Sequence, residues 1–245
     1  MTTRTHTPPH PSPVRLAALI PAAGLSSRMG TFKPLEPVAG RPLIQWTIES
    51  VWAGGVSRVC VVLGRRARDV RMALEAAELA CGRQGSLYFV ENISYTTTDM
   101  LYSLQLGLGA LLAKTDPPNA LFVLPGDMAG VSQTTFRTLA KRAQHSPARV
   151  LRPTCNGITG HPILIRSECL KPVLGYSGEG GLRQALAGHP VESVETGDIG
   201  VLLDADEPAD LEVLRKHMAA LRHGNSQNVA TADTGRLPGP QVPTV

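Results

Sequence analysis

Arg28 and Lys33 stand beside a run of small residues, Ala22-Ala23-Gly24-Leu25-Ser26-Ser27, in an arrangement that could handle a polyanion. A loop with little side-chain bulk before Arg28 lets its backbone approach a ligand closely. Successive backbone N–H groups in such a turn form an anion-binding concavity, and the two cations add charge beside it. The combination suits a triphosphate. Further on, Asp127 follows the apolar run Ala120–Leu124, in Leu124-Pro125-Gly126-Asp127-Met128. A carboxylate there is costly unless it is solvated or bound. Mg2+ is typically held by one or two carboxylates plus substrate phosphates, so Asp127 reads as a metal ligand, with a turn or helix-capping aspartate as the alternative. A second acidic cluster is Asp204-Ala205-Asp206-Glu207-Pro208. Asp206 or Glu207 can cap a helix with Pro208 at its first position, whereas Asp204 is harder to explain as a cap.

Two familiar nucleotide loops are excluded. Gly24 and Gly30 enclose five residues and Lys33 lies three beyond, which is not the G-x-x-x-x-G-K-[ST] spacing, and no G-x-G-x-x-G run exists. What stands here is A-A-G-x-S-x-R-M-G-x-x-K. This resembles the signature of the MobA-like nucleotidyltransferase superfamily, and most closely its molybdenum cofactor cytidylyltransferase branch. Three later segments match in order. Asp204–Leu211, D-A-D-E-P-A-D-L, resembles the D-x-D-T-P-E-D-L signature; Gly160-His161-Pro162 resembles the G-H-P motif; and Gly178–Arg183 looks like a G-D-x-G-A-R segment. The resemblance spans roughly Leu16 to Leu221. It departs at Ala129, where the family usually has proline, at Glu207 in place of threonine, and in T-T-D-M-L-Y-S-L for G-M-S-S-S-L. The last keeps Ser103 but brings in the larger Leu101 and Tyr102.

The resemblance implies transfer of CMP from CTP to the terminal phosphate of a molybdenum-bearing pterin, with release of pyrophosphate. Lys33 and Arg28 would neutralise the triphosphate. Ala22, Ala23, Gly24, Ser26 and Ser103 would cradle phosphates, sugar and base. Asp127 and Asp204 would hold Mg2+, with Asp206 in a supporting role. Gly160, His161 and Pro162 would line the pterin pocket, although a Gly-His-Pro turn by itself is more often only a turn. The A-A-G form goes with CTP in this superfamily and L-A-G-G with GTP. An extra methyl narrows the space beside the base, a discrimination of about 1–3 kcal/mol. The rival readings are a cytidylyl- or uridylyltransferase for a sugar or polyol phosphate, and a nucleotide-sensing module without turnover.

These residues need a scaffold. Leu16–Pro21 reads as a buried central strand. Further strands are expected at Arg58–Leu63, Leu87–Val90, Ala120–Leu124, Val150–Pro153, Ile163–Ile165, Val191–Val194 and Val201–Leu203. Helices are expected from Pro42 to the Gly54-Gly55 pair, over Arg68–Ala80, over Met100–Ala113 behind an Asp99 cap, and from Ser132 to about His145. Short ones follow at Glu168–Val173 and Leu182–Leu186, with a final amphipathic helix over Pro208–Leu221. Alternation of this kind predicts an α/β fold, a doubly wound, mostly parallel, Rossmann-like sheet with a small antiparallel patch near the acceptor site. Ligands of such sheets bind beyond the carboxyl ends of the strands. The Ala22 loop and Asp127 both follow strands.

With 245 residues the chain can hold one large domain, expected over residues 14–222 between a disordered lead-in (1–13) and a disordered tail (223–245). Four widely spaced cysteines without a C-x-x-C suggest reduced thiols in the cytoplasm. A net charge of +4 without basic runs, and only 4% aromatics, argue against nucleic acid as a partner. No apolar run reaches the ~20 residues needed to span a membrane, and the N-terminus lacks a secretory apolar region. A transient contact with a recipient molybdoenzyme is the one macromolecular partner the resemblance suggests.

Overall fold

The computed structural model describes residues 15–25 and 30–222. The expected lead-in and tail, and Ser26 and Arg28 of the phosphate loop, lie outside the described residues. The first strand is β1 (Leu16–Ala22), followed by a 3-10 turn (Lys33–Leu35) and a two-residue hairpin, β2 (Pro37–Val38) and β3 (Arg41–Pro42). Then come α1 (Leu43–Ala53), β4 (Val59–Leu63), α2 (Ala67–Ala80), β5 (Leu87–Glu91), α3 (Met100–Leu112), β6 (Ala120–Val123) and α4 (Gln133–His145). The second half holds β7 (Val150–Cys155), β8 (Ile158–Thr159), β9 (Ile163–Arg166), α5 (Ser167–Leu174), α6 (Gly181–Ala185), β10 (Val191–Glu195) and α7 (Pro208–Arg222).

The main sheet runs in the order β10-β7-β9-β6-β1-β4-β5, with β8 paired to β7. β1 lies between β4 and β6, parallel to both, because it and β4 are apolar on both faces and only a covered parallel sheet buries both. Period-two alternation then divides the core. Ala18, Ile20, Val59, Val61 and Leu63 face α1, α2 and α4; Ala17, Leu19, Cys60 and Val62 face α3, α5 and α6. Helices on both faces make the sheet doubly wound, as expected. Gly107 lets α3 sit tightly on it: a Cβ there would fall 2.8 Å from Val62 Cγ2.

The antiparallel patch is present, and it is specific. β9 runs antiparallel to both β6 and β7, and β8 turns back on β7, while β10 is parallel to β7 at the edge. Reversing one strand brings its beginning, rather than its end, to the ligand edge of the sheet.

One expected strand is absent. Val201 and Leu202 lie in a 3-10 turn (Ile199–Leu202) that Leu203 closes, and its start is capped by the Asp198 carboxylate accepting from the Gly200 N–H at 3.0 Å. The other Asp198 oxygen accepts from Ser132 N and Thr135 Oγ1, at 2.8 and 2.6 Å. Asp198 thus pins the segment to the start of α4 and gives its backbone a local alternative to a ladder. A third apolar cluster, Leu211, Leu214 and Met218 of α7 against Val38 and Leu43, seats α7 over the hairpin and delivers Asp204–Asp206 to the sheet edge. Among the described residues no helix is long and apolar enough to cross a membrane. Cys60, Cys155 and Cys169 are buried and free, and Cys81 is exposed and free.

Candidate active site

Where β1 ends, Pro21 to Gly24 form one wall of a cleft of about 240 Å3. A Cβ built on Gly24 would meet no atom within 4 Å, so packing does not demand glycine there; the position leaves open space toward the cleft. Ala23 is held from behind. Gly64, after β4, touches it so closely that a Cβ on Gly64 would come within 2.6 Å of the Ala23 carbonyl oxygen. Arg65 Nη1 donates to the Leu25 carbonyl at 3.0 Å, and Arg65 and Arg66 both stack over Phe32. The β4–α2 turn therefore clasps the phosphate loop from outside.

Lys33 and Asp127 meet at the cleft floor. The β1–β6 pairing continues past the strands: Gly126 N donates to Pro21 O at 3.3 Å, and the buried Thr47 hydroxyl donates to Gly126 O at 3.0 Å. These bonds set Asp127 beside Ala22. Lys33 Nζ donates to Asp127 Oδ2 at 2.8 Å and to Asp206 Oδ1 at 2.6 Å. Burial alone would lower the lysine's pKa, but Asp127 first and Asp206 after it outweigh burial and hold it above its ordinary value. Asp127 Oδ1 is buried and has no hydrogen-bond partner among the described residues. Left so, that oxygen would carry its full desolvation cost. A cation or a ligand hydrogen relieves it.

Asp206, not Asp204, lines the cleft and takes Lys33. Asp204 reaches solvent, yet its pKa is raised, by loss of water to the atoms crowding it and then by the nearby charges of Asp206 and Asp127; Lys33 offsets only part of this. The helix start needs neither: the Asp210 carboxylate accepts from Glu207 N at 2.8 Å. Three acidic side chains thus gather around one lysine. Among the described residues no group of three or more His, Cys, Asp or Glu has the geometry of a complete metal site.

Ser103 also faces the cleft, where sequence reasoning expects it. Its support is Asn92, which the residue pattern did not single out. Asn92 is only 1% exposed, and its Nδ2 donates to both Thr98 Oγ1 and Ser103 Oγ at 3.0 Å. With its oxygen taken as acceptor, the Ser103 hydroxyl keeps its hydrogen to donate. The one signal in the chain was a polar residue directly closing strand β5. Tyr95, Thr98 and Met100 complete this wall, before and at the start of α3, which Asp99 caps by accepting from Tyr102 N at 2.8 Å.

Gly160, His161 and Pro162 do not line the cleft; they enter β9 behind Asp127. Gly160 N donates to Pro153 O and His161 N to Val201 O, both at 2.9 Å, and a Cβ on Gly160 would collide with the Val201 carbonyl. The His161–Pro162 peptide is cis. The imidazole is held below its ordinary pKa chiefly by burial, with Arg152 adding to this; its bond to the Val123 carbonyl and the charge of Asp127 act the other way. Burial thus favours the neutral imidazole, and among the described residues its Nδ1 has no hydrogen-bond partner.

Known proteins are similar to this chain in sequence and in fold. The family model of the MobA-like NTP transferase domain matches residues 18–196. The molybdenum cofactor cytidylyltransferase of Escherichia coli K12 is 28% identical over 192 residues, covering 78% of this chain and 91% of that protein. A nucleotidyl transferase from Methanothermobacter thermautotroptrophicus superposes with a TM-score of 0.68 at 24% identity, over 84% of this chain and 99% of that one. CMP:2-keto-3-deoxy-manno-octonic acid synthetase, solved in complex with CTP, gives 0.65 at 18% identity, again over 84% and 99%. The phosphate loop, the Asp127 turn and the reversed β9 all fall inside the matched span, and the chain belongs to the MobA-like NTP transferase family.

Proposed function

We propose that this nucleotidyltransferase moves CMP from CTP to the terminal phosphate of a molybdenum-bearing pterin, releasing pyrophosphate. The observation that carries the reading is Lys33 drawn between Asp127 and Asp206 beside the open space at Gly24. The nearness of the E. coli molybdenum cofactor cytidylyltransferase supports the choice of acceptor and base. An oxygen of the acceptor phosphate attacks the α-phosphorus in line. The new P–O bond forms as the α–β bridging bond breaks, and pyrophosphate leaves with the electron pair. Because the acceptor brings its own nucleophile, the protein's work is positioning and charge stabilisation. Lys33, with Arg28 from the loop, offsets the triphosphate's charge. Backbone around Ala22, Ala23, Gly24 and Ser26 holds the phosphates, and Ser103 donates to the nucleotide.

Mg2+ fits this donor set. The buried, unpartnered Asp127 Oδ1 offers one hard oxygen. Asp204, destabilised by its acidic neighbours, offers a second, while Asp206 is engaged with Lys33. Two carboxylates completed by substrate phosphates are what this ion ordinarily takes, and when bound it neutralises and orients those phosphates. Reduced thiols and the pterin chemistry accord with a cytoplasmic setting.

A second reading has one observation in its favour: the synthetase that superposes with CTP bound makes a CMP-sugar acid. Pyrophosphate release separates the two. With Mg2+, release that requires both CTP and molybdenum-loaded pterin is the expected result. Release with CTP and a sugar or polyol phosphate instead would replace the acceptor, and binding of CTP without turnover on any acceptor would leave a sensor. Ala23→Gly is expected to relax CTP preference over GTP by roughly tenfold, the worth of about one methyl.

A further inference from the structure

The cleft wall that faces the phosphate loop is organised by one buried amide. Across the sheet Ala22 lies level with Leu63, and the Leu63 carbonyl accepts from the Asn92 N–H at 2.8 Å. Asn92 is thereby built in register with the start of the loop. The Ser94 N–H donates to its Oδ1 at 3.0 Å, which fixes the amide's orientation. Its NH2 must then face Thr98 Oγ1 and Ser103 Oγ, giving one hydrogen to each at 3.0 Å. Both hydroxyl oxygens are acceptors, so what each does with its own hydrogen decides its use. Thr98 spends its hydrogen on the Ser94 carbonyl at 2.9 Å. Ser103 spends its hydrogen on none of the described residues. A helical serine often turns its hydroxyl back to the carbonyl four residues earlier, here that of Asp99. With its oxygen held by Asn92, Ser103 makes no such bond, and it lines the cleft.

We propose that Asn92 is a positioning residue for the nucleotide, and that its amide makes the Ser103 hydroxyl a donor only. The wall then takes a ligand atom that carries a lone pair and no hydrogen: a carbonyl or ring nitrogen of the base, or an oxygen of the triphosphate. An N–H or amino group brought to the same point meets a donor hydrogen and is refused. The residue type at 92 sets this sign. A carboxylate has no hydrogen to give, so an acid there would draw the Ser103 hydrogen to itself and leave the hydroxyl only lone pairs to offer. Residue 92 would thus control recognition without touching the ligand. The inference rests on nucleotide binding in the cleft and is independent of the acceptor's identity.

Calorimetric titration of the full chain with CTP and with inorganic triphosphate, each with Mg2+, tests this. Ser103→Ala is expected to weaken CTP about five- to tenfold, the worth of one neutral hydrogen bond, and Asn92→Asp by as much. In the Asn92→Asp background, Ser103→Ala should cost less than about twofold more, because the hydrogen it removes is already spent. In pyrophosphate release, KM for CTP should rise by the same factors while kcat changes less than about twofold, the mark of a contact made equally before and during transfer. If the buried carboxylate keeps Asn92→Asp from folding, Asn92→Ala replaces it: CTP weakens a few-fold, and the factor lost through Ser103→Ala must still fall to half or less. Losses seen with CTP and not with inorganic triphosphate put the acceptor atom on the nucleoside. Equal losses with both put it on a phosphate, and either result supports the proposal. An unchanged factor for Ser103→Ala with and without Asn92, or full CTP affinity in a folded Asn92 variant, overturns it and leaves Asn92 a structural residue. A wild type that binds no nucleotide overturns the nucleotide reading as well.

Discussion

The two sides of Asp127 are built on opposite electrostatic plans. On the cleft side, opposite charges close on each other: Lys33 bridges Asp127 and Asp206 at 2.8 and 2.6 Å. Away from the cleft, among the described residues, Arg152 Nε and His161 Nδ1 are buried without partners. A closed ion pair is a resting state that an incoming polyanion must rearrange. Unmade hydrogen bonds cost about 1–3 kcal/mol each, and a ligand that makes them recovers that energy as affinity. Charge pairing therefore organises the cleft side, and unmade hydrogen bonds mark the far side.

Asp127 is common to both, so Asp127→Asn is the largest blow. Turnover is expected to fall by about 10³-fold, as loss of a group that stabilises transition-state charge does. Steady-state pyrophosphate release measures it, and retention of more than a tenth of kcat would break the picture. Lys33→Gln touches only the cleft side. It should cost about 10²-fold in kcat/KM for CTP. Lys33 also leaves a mark on stability. Its folded pKa lies above the ordinary 10.5, so its stabilisation is complete below pH 10.5 and is lost as pH rises through the higher folded value. Denaturant unfolding of wild type and Lys33→Gln should accordingly converge above that pH; curves that stay parallel would contradict the ion pair.

Asn92→Ala strips the common donor from Thr98 and Ser103. A stability loss of about 1–3 kcal/mol is expected, a fall in Tm of about 2–10 °C, with a few-fold rise in KM for CTP. Asp204→Asn is the smallest change and has the opposite sign. The Asp204 pKa is raised, so the folded state loses stability through this group as pH climbs from 3.8 through the raised value. The variant should be slightly more stable than wild type at pH 7 without divalent metal, equal to it below pH 3, and weaker in binding Mn2+. An unchanged metal affinity would move the second ligand to Asp206.

The order of strands and helices was legible because apolar runs and caps are local signals: Leu16–Ala22, Val59–Leu63 and the capped starts at Asp99 and Ser132 all emerged where spacing put them. That the Ala22 loop and Asp127 share an edge was legible as well, since both follow strands whose carboxyl ends must reach it, and Gly24, Lys33 and Asp127 line one cleft. What failed depended on contacts distant in sequence. Val201–Leu203 is apolar enough for a strand, and only the docking of Asp198 onto α4 makes it a 3-10 turn. The pairing of Lys33 with Asp206 spans 173 positions and depends on how α7 sits, which no local pattern encodes.

Because β9 runs against its neighbours, the wall behind Asp127 is made by the segment from Cys155 to Pro162, a hairpin and its return, and not by the loops after β1 and β6. The residues that line the cleft and the eight that form the wall behind it are thereby carried on separate pieces of chain, and they meet where His161 N donates to the Val201 carbonyl, three residues before Asp204.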